Sequence, residues 1–478
     1  MSALKWLGAI PAACTLMAAQ AAAAPPALEK ARGTFEDSVR RAATDLTIPG
    51  IAYAVVYDGR VIQSGEIKTG DGPALTVTTP LRFASVTKAF TAVLLMRAIE
   101  AKKLALDDSV SKWLPEFRDR PGILVRHLAA HVSEGIPGTE FVYGTQRYAK
   151  LGEILRLAYG AESFETALRR EVFEPAGLSW NDSPDLGAHA ALVSTVSEVA
   201  KFAGALQSNR LIAKRSFDVM TTPFKSAAGN TLPAGVGFFS QQIGGERVVW
   251  SFGQDDPDYS SALLLSLPKR RLSLVMLANT DELSNPFRLL MGDVRTSPFA
   301  TAFLDSYAAE IGAAVGKRER ETSAMLAALA SGRAPDAIRS FSALAERNEP
   351  VSGDDFALHF LAGALAAELP AAFCEKLDTA VMGAHPRNRW VLLMSGGINS
   401  ALGKRELALS RYETLLALPN QEPDGLWKLF QAWSYTGSAV AVKDVDRARA
   451  RQYVEKGLAT GVTGGTRNDL LRLRESLE

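Results

Sequence analysis

Cysteine is scarce in this sequence. Its 478 residues include only Cys14 and Cys374. If residues 1–24 are removed from the mature protein, as argued below, Cys374 remains alone and no intrachain disulfide can form. The fold must then be stabilised by its hydrophobic core, even in an oxidising compartment. Because Cys374 lies in an apolar, helix-like stretch, we interpret it as a core residue.

An excess of charge of either sign is also missing. The sequence has 53 Lys and Arg against 52 Asp and Glu, a formal net charge of +1. Proteins that bind nucleic acid or anionic membranes usually show a clear basic excess, so we expect neither partner. Hydrophobic residues make up 47% of the chain. That fraction is sufficient for a large core, and the length predicts two to four domains.

A hydrophobic run long enough to cross a membrane is absent as well. The segment 1–24 is interrupted by Pro11 and Gln20, which makes it a poor membrane span. Its Lys5, its Ala- and Leu-rich middle and its small final residues are typical of a secretory signal. We therefore predict a signal peptide, export to the periplasm or medium, and no transmembrane segment in the mature chain. A disordered Ala-rich tail is the alternative, and lipidation at Cys14 is disfavoured because lipoprotein signals usually have Leu where Pro11 stands.

The stretch 81–92, LRFASVTKAFTA, carries the strongest chemical signal. Its apolar residues continue to position 95 and predict a buried helix. Ser85 and Lys88 are three residues apart and share one face of that helix. Burial disfavours an ammonium group, so Lys88 can be neutral and act as a base. Ser85 would then be a nucleophile, and its backbone N–H could help to hold an oxyanion.

The Ser-x-x-Lys spacing alone is weak evidence. A second copy, Ser109 to Lys112, follows two aspartates and precedes Trp-Leu-Pro. That polar setting predicts a helix cap or surface residue at Ser109. The first copy matches the nucleophile motif of penicillin-binding proteins and serine β-lactamases.

The surrounding residues strengthen this interpretation. Residues 81–117, LRFASVTKAFTAVLLMRAIEAKKLALDDSVSKWLPEF, closely resemble the serine β-lactamase-related family. That family includes class C β-lactamases, D-alanyl-D-alanine carboxypeptidases, D-aminopeptidases and family VIII carboxylesterases. The resemblance extends over residues 34–309 and implies an α+β fold, in which helices cover an antiparallel sheet beside a mostly helical subdomain. A predicted helix at 36–46 and a hairpin at 51–67 around Asp58-Gly59 fit that order.

A second motif lies at 141–152, FVYGTQRYAKLG, and resembles the family's Tyr-x-Asn loop. The resemblance implies that Tyr143 relays protons between the nucleophile and the leaving group. A surface aromatic residue is the alternative. Thr145 stands where Asn is usual and would contact the substrate, but a hydroxyl cannot offer two amide N–H donors. Amide-directed substrate binding is therefore weakened.

A third motif lies at 248–255, VVWSFGQD. In the family a Lys or His precedes x-Gly on an edge strand and faces the substrate's carboxylate. Ser251 occupies that position here, and Gly253 permits close approach of the backbone; both would line the substrate. The resemblance makes the backbone N–H of Gln254 the second oxyanion donor. Loss of the cation removes a charge-assisted hydrogen bond worth about 1.5–3 kcal/mol, which favours esters or uncharged acyl substrates.

A pair of histidines, His127 and His131, is spaced four apart in a predicted helix and could suggest zinc. The Glu expected after the first His is missing, and no third ligand is evident. We predict histidines that are hydrogen-bonded within the fold, with no metal and no cofactor.

The pattern changes after about residue 317, where strand signals give way to helix pairs. The predicted pairs are 323–330 with 335–347, 356–368 with 371–381, 390–402 with 405–418, and 426–435 with 445–459. A unit of about 30–40 residues resembles tetratricopeptide repeats. An irregular helical domain is the alternative. Repeats would offer a concave surface to a protein or peptide partner, whereas a packing domain would only shield its neighbour.

These patterns together predict a signal peptide at 1–24, a hydrolase domain at 34–310 and a helical domain at 318–478. The predicted function is that of an exported serine hydrolase. It would act through an acyl-enzyme on a small-molecule ester, β-lactam or D-amino-acid peptide, with esters favoured. Since two of the three motifs deviate from the family, the alternative is a catalytically impaired binding or scaffolding protein. A Lys88 amine within hydrogen-bond reach of Ser85 would argue against that alternative.

Overall fold

The structure is a computed structural model of the chain. It describes residues 26–70, 74–227, 229–255, 260–418 and 425–478. The predicted signal segment and Cys14 lie outside these residues.

A six-stranded antiparallel sheet forms the centre of the N-terminal part. Its spatial order is β2-β1-β8-β7-β6-β5. Two further strands, β3 and β4, form a separate antiparallel pair. The bounds are β1 Gly50–Tyr57, β2 Arg60–Lys68, β3 Leu81–Arg82, β4 Val193–Ser194, β5 Phe239–Ile243, β6 Glu246–Asp255, β7 Ser260–Leu267 and β8 Leu272–Ala278.

The hairpin predicted around Asp58-Gly59 is confirmed. Strands β1 and β2 pair antiparallel, with Tyr57 opposite Arg60. Asp58 has φ 48° and Gly59 has φ 79°. A two-residue loop with both residues left-handed has the twist that matches the flanking strands. Residues 58 and 59 therefore fix the register of the first two strands.

The third motif does not lie on an edge strand, contrary to the prediction. Strand β5 is the edge and β6 is internal. However, β5 pairs with β6 only from Glu246 to Trp250. The end of β6 from Ser251 onwards has β7 on one side, and in the described part of the chain its other side has no strand partner. The residues Phe83 and Ala84 lie beside Gly253 at this end of β6, and Oγ of Ser284 donates to the Gly253 carbonyl at 2.8 Å.

Helices cover both faces of the sheet. One face packs against α1 and α9, where Phe35 contacts Tyr53 and Phe303 edge to face. The other packs against α2 and α7, whose Phe90 and Phe202 stack with ring centroids 3.9 Å apart. The predicted helix at 36–46 begins earlier, at Pro26. The bounds are α1 Pro26–Asp45, α2 Thr87–Glu100, α3 Val125–Ala129, α4 Thr145–Tyr159, α5 Phe164–Leu168, α6 Glu174–Ala176, α7 Val196–Gln207, α8 Lys214–Met220, α9 Pro298–Tyr307 and α10 Ala309–Ala313.

The C-terminal part consists of helices, as predicted. The four predicted pairs correspond to α11 with α12, α13 with α14, α15 with α16 and α17 with α18, and α19 follows them. Their bounds are α11 Lys317–Ala330, α12 Ala334–Glu346, α13 Phe356–Leu365, α14 Ala371–Ala384, α15 Arg389–Ala401, α16 Arg405–Leu416, α17 Gly425–Val442, α18 Arg447–Ala459 and α19 Gly464–Ser476. Cys374 is buried on α14. Whether these helices are tetratricopeptide-like repeats, and where the domains divide, stay predictions.

The two parts of the chain share one core. A single buried cluster runs from the sheet through Phe303 on α9 to Phe341 on α12 and Leu361 on α13. Arg320 on α11 donates to both carboxylate oxygens of Asp305 on α9, at 2.9 and 2.8 Å. The helical part is therefore packed directly on the sheet domain. Among the described residues, no helix combines the length and the apolar character needed to cross a membrane.

Candidate active site

The nucleophile candidate lies in a tight turn between β3 and α2. Ser85 is the middle residue of a 3₁₀ turn, Ala84–Val86, and α2 begins at Thr87. It is therefore placed just before the helix rather than in its first turn. The side chains of α2 are buried from Thr87 to Met96, which fits the prediction of a helix surrounded by protein. Ser85 is 9% exposed and Lys88 only 2%.

The turn packs closely against strand β6 although its backbone is strained. Ala84 has φ 44°, in the left-handed region that costs a residue with a Cβ about 1–2 kcal/mol. A Cβ at position 253 would collide with the carbonyl oxygen of Phe83 and approach the Ala84 side chain. Only glycine permits β6 to lie this close to the turn. The predicted role of Gly253 therefore has a steric basis, and the close approach sets Gln254 beside the nucleophile turn.

Lys88 is held between two oxygen atoms. Its Nζ lies 2.8 Å from Oγ of Ser85 and donates at 2.8 Å to the carbonyl oxygen of His189. Burial lowers the pKa of Lys88 to about 7. The desolvation cost falls on the charged form, and neither contacting oxygen carries a full charge to offset it. A large fraction of Lys88 is consequently neutral at physiological pH and able to accept a proton.

Aromatic rings enclose the amine. The Nζ of Lys88 lies 4.9 Å from the ring centroid of Tyr143 and 5.4 Å from that of Tyr148. The Tyr148 hydroxyl donates to the backbone carbonyl of Lys88 at 3.0 Å. Both rings keep water away from the amine, which is the source of its lowered pKa.

Tyr143 lies beside Ser85 and Lys88, since its ring centroid is 4.9 Å from Nζ of Lys88 and the Ser85 hydroxyl influences the pKa of the phenol. Burial raises the pKa of Tyr143 to about 12, and the Ser85 hydroxyl opposes that rise. The phenol is therefore protonated over the whole physiological range. It can donate a proton to a departing group and take its replacement from the neighbouring amine of Lys88, which lies 4.9 Å from the ring centroid.

The two predicted histidines do not share a helix face. Helix α3 ends at Ala129, and His131 has φ 57°. Each ring instead accepts a backbone N–H: His127 Nδ1 from Leu124 at 3.2 Å and His131 Nδ1 from Gly144 at 3.3 Å. These are the internally bonded histidines that the sequence analysis anticipated.

His131 supports the tyrosine. Its ring centroid lies 4.5 Å from that of Tyr143 and 5.1 Å from that of Tyr148. Burial and the charge of Lys88 lower the pKa of His131 well below its ordinary value. The ring is thus neutral and serves as an apolar surface against which Tyr143 packs.

The remaining motif positions differ in their surroundings. Ser251 is 4% exposed, so a buried neutral hydroxyl stands where the family resemblance implied a cation. Phe252 stacks on Tyr143 with centroids 5.7 Å apart, and Phe239 lies 6.0 Å from the same ring. Thr145 is half-buried at the start of α4. Ser85 is therefore bordered by aromatic rings on the side of the third motif.

The second Ser-x-x-Lys copy is structural, as predicted. Oγ of Ser109 accepts the N–H of Ser111 at 3.3 Å and caps a short 3₁₀ turn. Lys112 pairs with Asp108 at 3.0 Å on the surface. The two copies thus differ in burial and in partners although they share a spacing.

A cavity of about 840 Å³ lies elsewhere, between α7, α8 and the sheet. Leu206, Phe238 and Arg247 are among its lining residues, which do not include Ser85 or Lys88. We therefore do not assign the chemistry to it.

Several residues of this centre were not predicted from the sequence. Tyr148 and Phe239 were not singled out, and His189 contributes a backbone carbonyl, which no side-chain pattern can reveal. Burial and the charge of Lys88 lower the pKa of His189 to about 4, so it too is neutral. Tyr148 could have been anticipated, since it follows Tyr143 within the same quoted motif.

The chain is similar in sequence to several known proteins. Penicillin-binding protein 4 of Amycolatopsis lactamdurans is 30% identical over 172 residues, 28% of this chain and 45% of that protein. A β-lactamase of Escherichia coli is 28% identical over 186 residues, 31% of this chain and 49% of that protein. Esterase EstB of Burkholderia gladioli is 43% identical over 61 residues, 12% of this chain and 16% of that protein. The chain spans about half the length of the first two relatives.

Among solved structures, a penicillin-binding protein homologue from Pyrococcus abyssi is 19% identical, with a TM-score of 0.47 over 52% of this chain and 73% of that one. A D-stereospecific amidohydrolase from Streptomyces is 18% identical, with a TM-score of 0.47 over 58% of this chain and 98% of that one. The family model described as Beta-lactamase matches residues 35–290. That match covers more than half of the 478 residues and includes Ser85, Lys88 and Tyr143, and the chain belongs to the Beta-lactamase family.

Proposed function

We propose that the protein is an exported serine hydrolase that cleaves carboxylic esters or other uncharged acyl compounds through an acyl-Ser85 intermediate. One observation carries the proposal: the Nζ of Lys88 lies 2.8 Å from the hydroxyl of Ser85 in a buried site. An amine with a pKa of about 7 at that distance is a competent general base.

The reaction follows from the positions of the groups. Oγ of Ser85 attacks the acyl carbon while Lys88 accepts the hydroxyl proton. The backbone N–H groups of Ser85 and Gln254 hold the oxyanion of the tetrahedral intermediate. Tyr143 then protonates the leaving group, and the proton taken up by Lys88 replaces it. Water then attacks the acyl-enzyme while Lys88, neutral again, accepts a proton from it, and Lys88 returns that proton to Oγ of Ser85 as the carboxylic acid departs.

The chemistry around the nucleophile favours an uncharged substrate. Ser251 is neutral and buried, and the aromatic rings of Phe239, Phe252 and Tyr143 lie within 6.0 Å of one another in that wall. A carboxylate brought against such a surface would lose hydration without gaining an ionic partner. The relatives include a penicillin-binding protein, a β-lactamase and an esterase, and we place this protein nearest to the esterase in chemistry.

A matched pair of esters tests that preference. We expect kcat/KM for p-nitrophenyl butyrate to exceed that for p-nitrophenyl 4-carboxybutanoate by about 10–150-fold, the equivalent of the 1.5–3 kcal/mol of one charge-assisted hydrogen bond. The leaving group is the same, so the ratio reports recognition of the acyl part. Benzylpenicillin and its methyl ester, compared by acylation rate, provide a second pair. A preference for the charged member of both pairs would contradict the proposal.

The pH profile tests the base. We expect kcat/KM for p-nitrophenyl butyrate to fall about tenfold per pH unit below pH 7, because protonated Lys88 cannot accept the Ser85 proton. Above pH 7 the profile should level off, since Tyr143, with a pKa of about 12, keeps its proton. Stopped assays in a constant-ionic-strength buffer series from pH 5 to 9 would measure this. A profile without an inflection in that range would exclude Lys88 as the titrating base.

The alternative, a binding or scaffolding protein that has lost catalysis, is disfavoured by the same centre. Lys88 is buried against Ser85 and a carbonyl oxygen, which is the arrangement of base and nucleophile that acylation requires. Acylation of the wild-type protein would discriminate between the two functions. Recognition of a peptide by the C-terminal helices remains a proposal that rests on the sequence pattern alone.

A further inference from the structure

The loop that leads into Tyr143 is held from two directions. On its inner side, the N–H of Val142 donates to the His131 carbonyl at 2.8 Å, and the N–H of Gly144 donates to the His131 ring. On its outer side, contacts reach it from the helical part of the chain, which lies more than 240 residues later in the sequence. The position of the catalytic phenol therefore depends on both.

The main outer contact is a buried charge cluster. Glu134 lies between Arg147 on α4 and Arg389 at the start of α15. Its Oε1 is 3.6 Å from Nε of Arg147, and its Oε2 is 3.9 Å from Nη2 of Arg389. The side chains of the three residues are 10%, 2% and 9% exposed. Two guanidinium groups thus share one carboxylate in a site with little access to water.

This carboxylate lies close to the backbone beside Tyr143. A Cβ placed on Gly144, the next residue, would lie 3.9 Å from Oε1 of Glu134. Arg389 is itself fixed, since its guanidinium lies over the ring of the buried Trp427 at 4.7 Å. Near the same loop, Arg387 pairs with Glu140 at 3.2 Å. Arg387, just before α15, and Arg389, its first residue, therefore form two ion pairs with the segment 134–144.

Coulomb attraction is only weakly screened in such a setting. If Arg389 loses its charge, the attraction that draws Glu134 towards α15 disappears, and the carboxylate can move towards Arg147. Because Glu134 belongs to the segment that leads to Tyr143 and its carboxylate lies close to Gly144, we expect that shift to move the Tyr143 loop. Displacement of a catalytic group by even a fraction of an ångström lowers its contribution to the rate.

We propose that Arg389 is a positioning residue for Tyr143, acting through Glu134, so that the helical part of the chain completes the active site rather than only shielding it. The inference rests on the proposed function, since it assumes that Tyr143 protonates the leaving group. It gives the C-terminal helices a specific task in the chemistry: they hold the proton donor in reach of the leaving group.

Leaving-group dependence tests the inference in the full chain. An ethoxide leaving group needs a proton from Tyr143, whereas p-nitrophenolate departs without one. Arg389→Met should therefore lower kcat/KM for ethyl butyrate by about tenfold, a part of the 10²–10⁴-fold that a general acid contributes, and for p-nitrophenyl butyrate by less than about twofold. Arg389→Lys, which retains the charge, should restore part of the loss. Tyr143→Phe should show the same selective loss in larger measure, and Arg389→Met should add nothing to it.

Arg320→Met is the matched control. It removes another ion pair between the two parts of the chain, that with Asp305, without touching the segment 134–144. For this variant we expect the ratio of kcat/KM for ethyl butyrate to kcat/KM for p-nitrophenyl butyrate to equal that of the wild-type protein. If Arg389→Met does not fold, Arg387→Met at the more exposed pair should give the same selective loss, of smaller size.

Two results would overturn the inference. An equal loss on both esters with Arg389→Met would mean a general effect on stability, and no loss on either would mean that Tyr143 does not depend on Arg389. Failure of the proposed function itself would look different, because wild-type protein would then hydrolyse neither ester and take up no serine-directed inhibitor.

Discussion

Replacing Ser85 with Ala should reduce kcat/KM for p-nitrophenyl butyrate by about 10⁴-fold or more, the scale of loss seen when a hydrolase nucleophile is removed. Alanine keeps the backbone N–H that would hold the oxyanion, so the change removes the attacking oxygen alone. A fluorophosphonate reagent should add its mass to the wild-type protein and leave the Ser85→Ala variant unmodified. Intact-protein mass spectrometry and initial rates would measure both effects.

The chain offers its own control for this variant. Ser109 has the same Ser-x-x-Lys spacing but serves to cap a 3₁₀ turn. Ser109→Ala should keep wild-type rates and full labelling, and lose at most about 1 kcal/mol of stability with its cap. Full ester turnover by Ser85→Ala would contradict the assignment of Ser85 as the nucleophile. An unchanged mass of the wild-type protein after treatment with the fluorophosphonate would contradict it as well.

Replacing Lys88 with Met should lower kcat for the same ester by about 10³-fold or more, because a general base contributes 10²–10⁴-fold and its loss here affects both acylation and deacylation. Met has a similar length and no charge, and it suits a site that is 2% exposed. We therefore expect the variant to fold at least as stably as the wild type, since the desolvation cost of an amine is gone. Thermal unfolding and steady-state rates would be measured on the same preparation.

The residual activity of Lys88→Met should also lose the inflection near pH 7. Lys112→Met is its control, since Lys112 pairs with Asp108 at the surface and such pairs contribute about 0–1 kcal/mol. An unchanged rate in Lys88→Met, or an inflection that persists in it, would show that another group accepts the proton of Ser85.

Much of the fold was predictable because it depends on residues close together in sequence. The hairpin follows from Asp58-Gly59, because a turn with both residues left-handed matches the right-handed twist of the two strands that it connects. The C-terminal helix pairs follow from periodicity and from breakers such as Pro370. The place of β6 was not predictable in this way. Its pairing with β5 stops at Trp250, and strand order is decided by long-range contacts that a local pattern does not record.

The active site shows the same difference between features set by neighbouring residues and features set by long-range contacts. Ser85 and Lys88 were found because three residues of helical chain fix their separation. The carbonyl of His189 that binds Lys88 lies 101 residues away, and Arg389 lies further from Glu134 still. Neither has a motif of its own, because a carbonyl is present at every residue and an arginine is common on any helix. The left-handed Ala84 gave no signal either, since alanine is an ordinary residue in a loop.

By itself, the sequence determined that a serine and a lysine share one buried surface, because apolar periodicity and short spacings act locally. That a tyrosine loop lies beside them was implied by the family resemblance. Only the tertiary structure decided that Lys88 is dry enough for a pKa of about 7, that Gly253 brings β6 against the nucleophile turn, and that α15 reaches the tyrosine loop. The physical reason is that desolvation, close backbone approach and ion pairing depend on what surrounds a residue in space, and those surroundings come from every part of the chain.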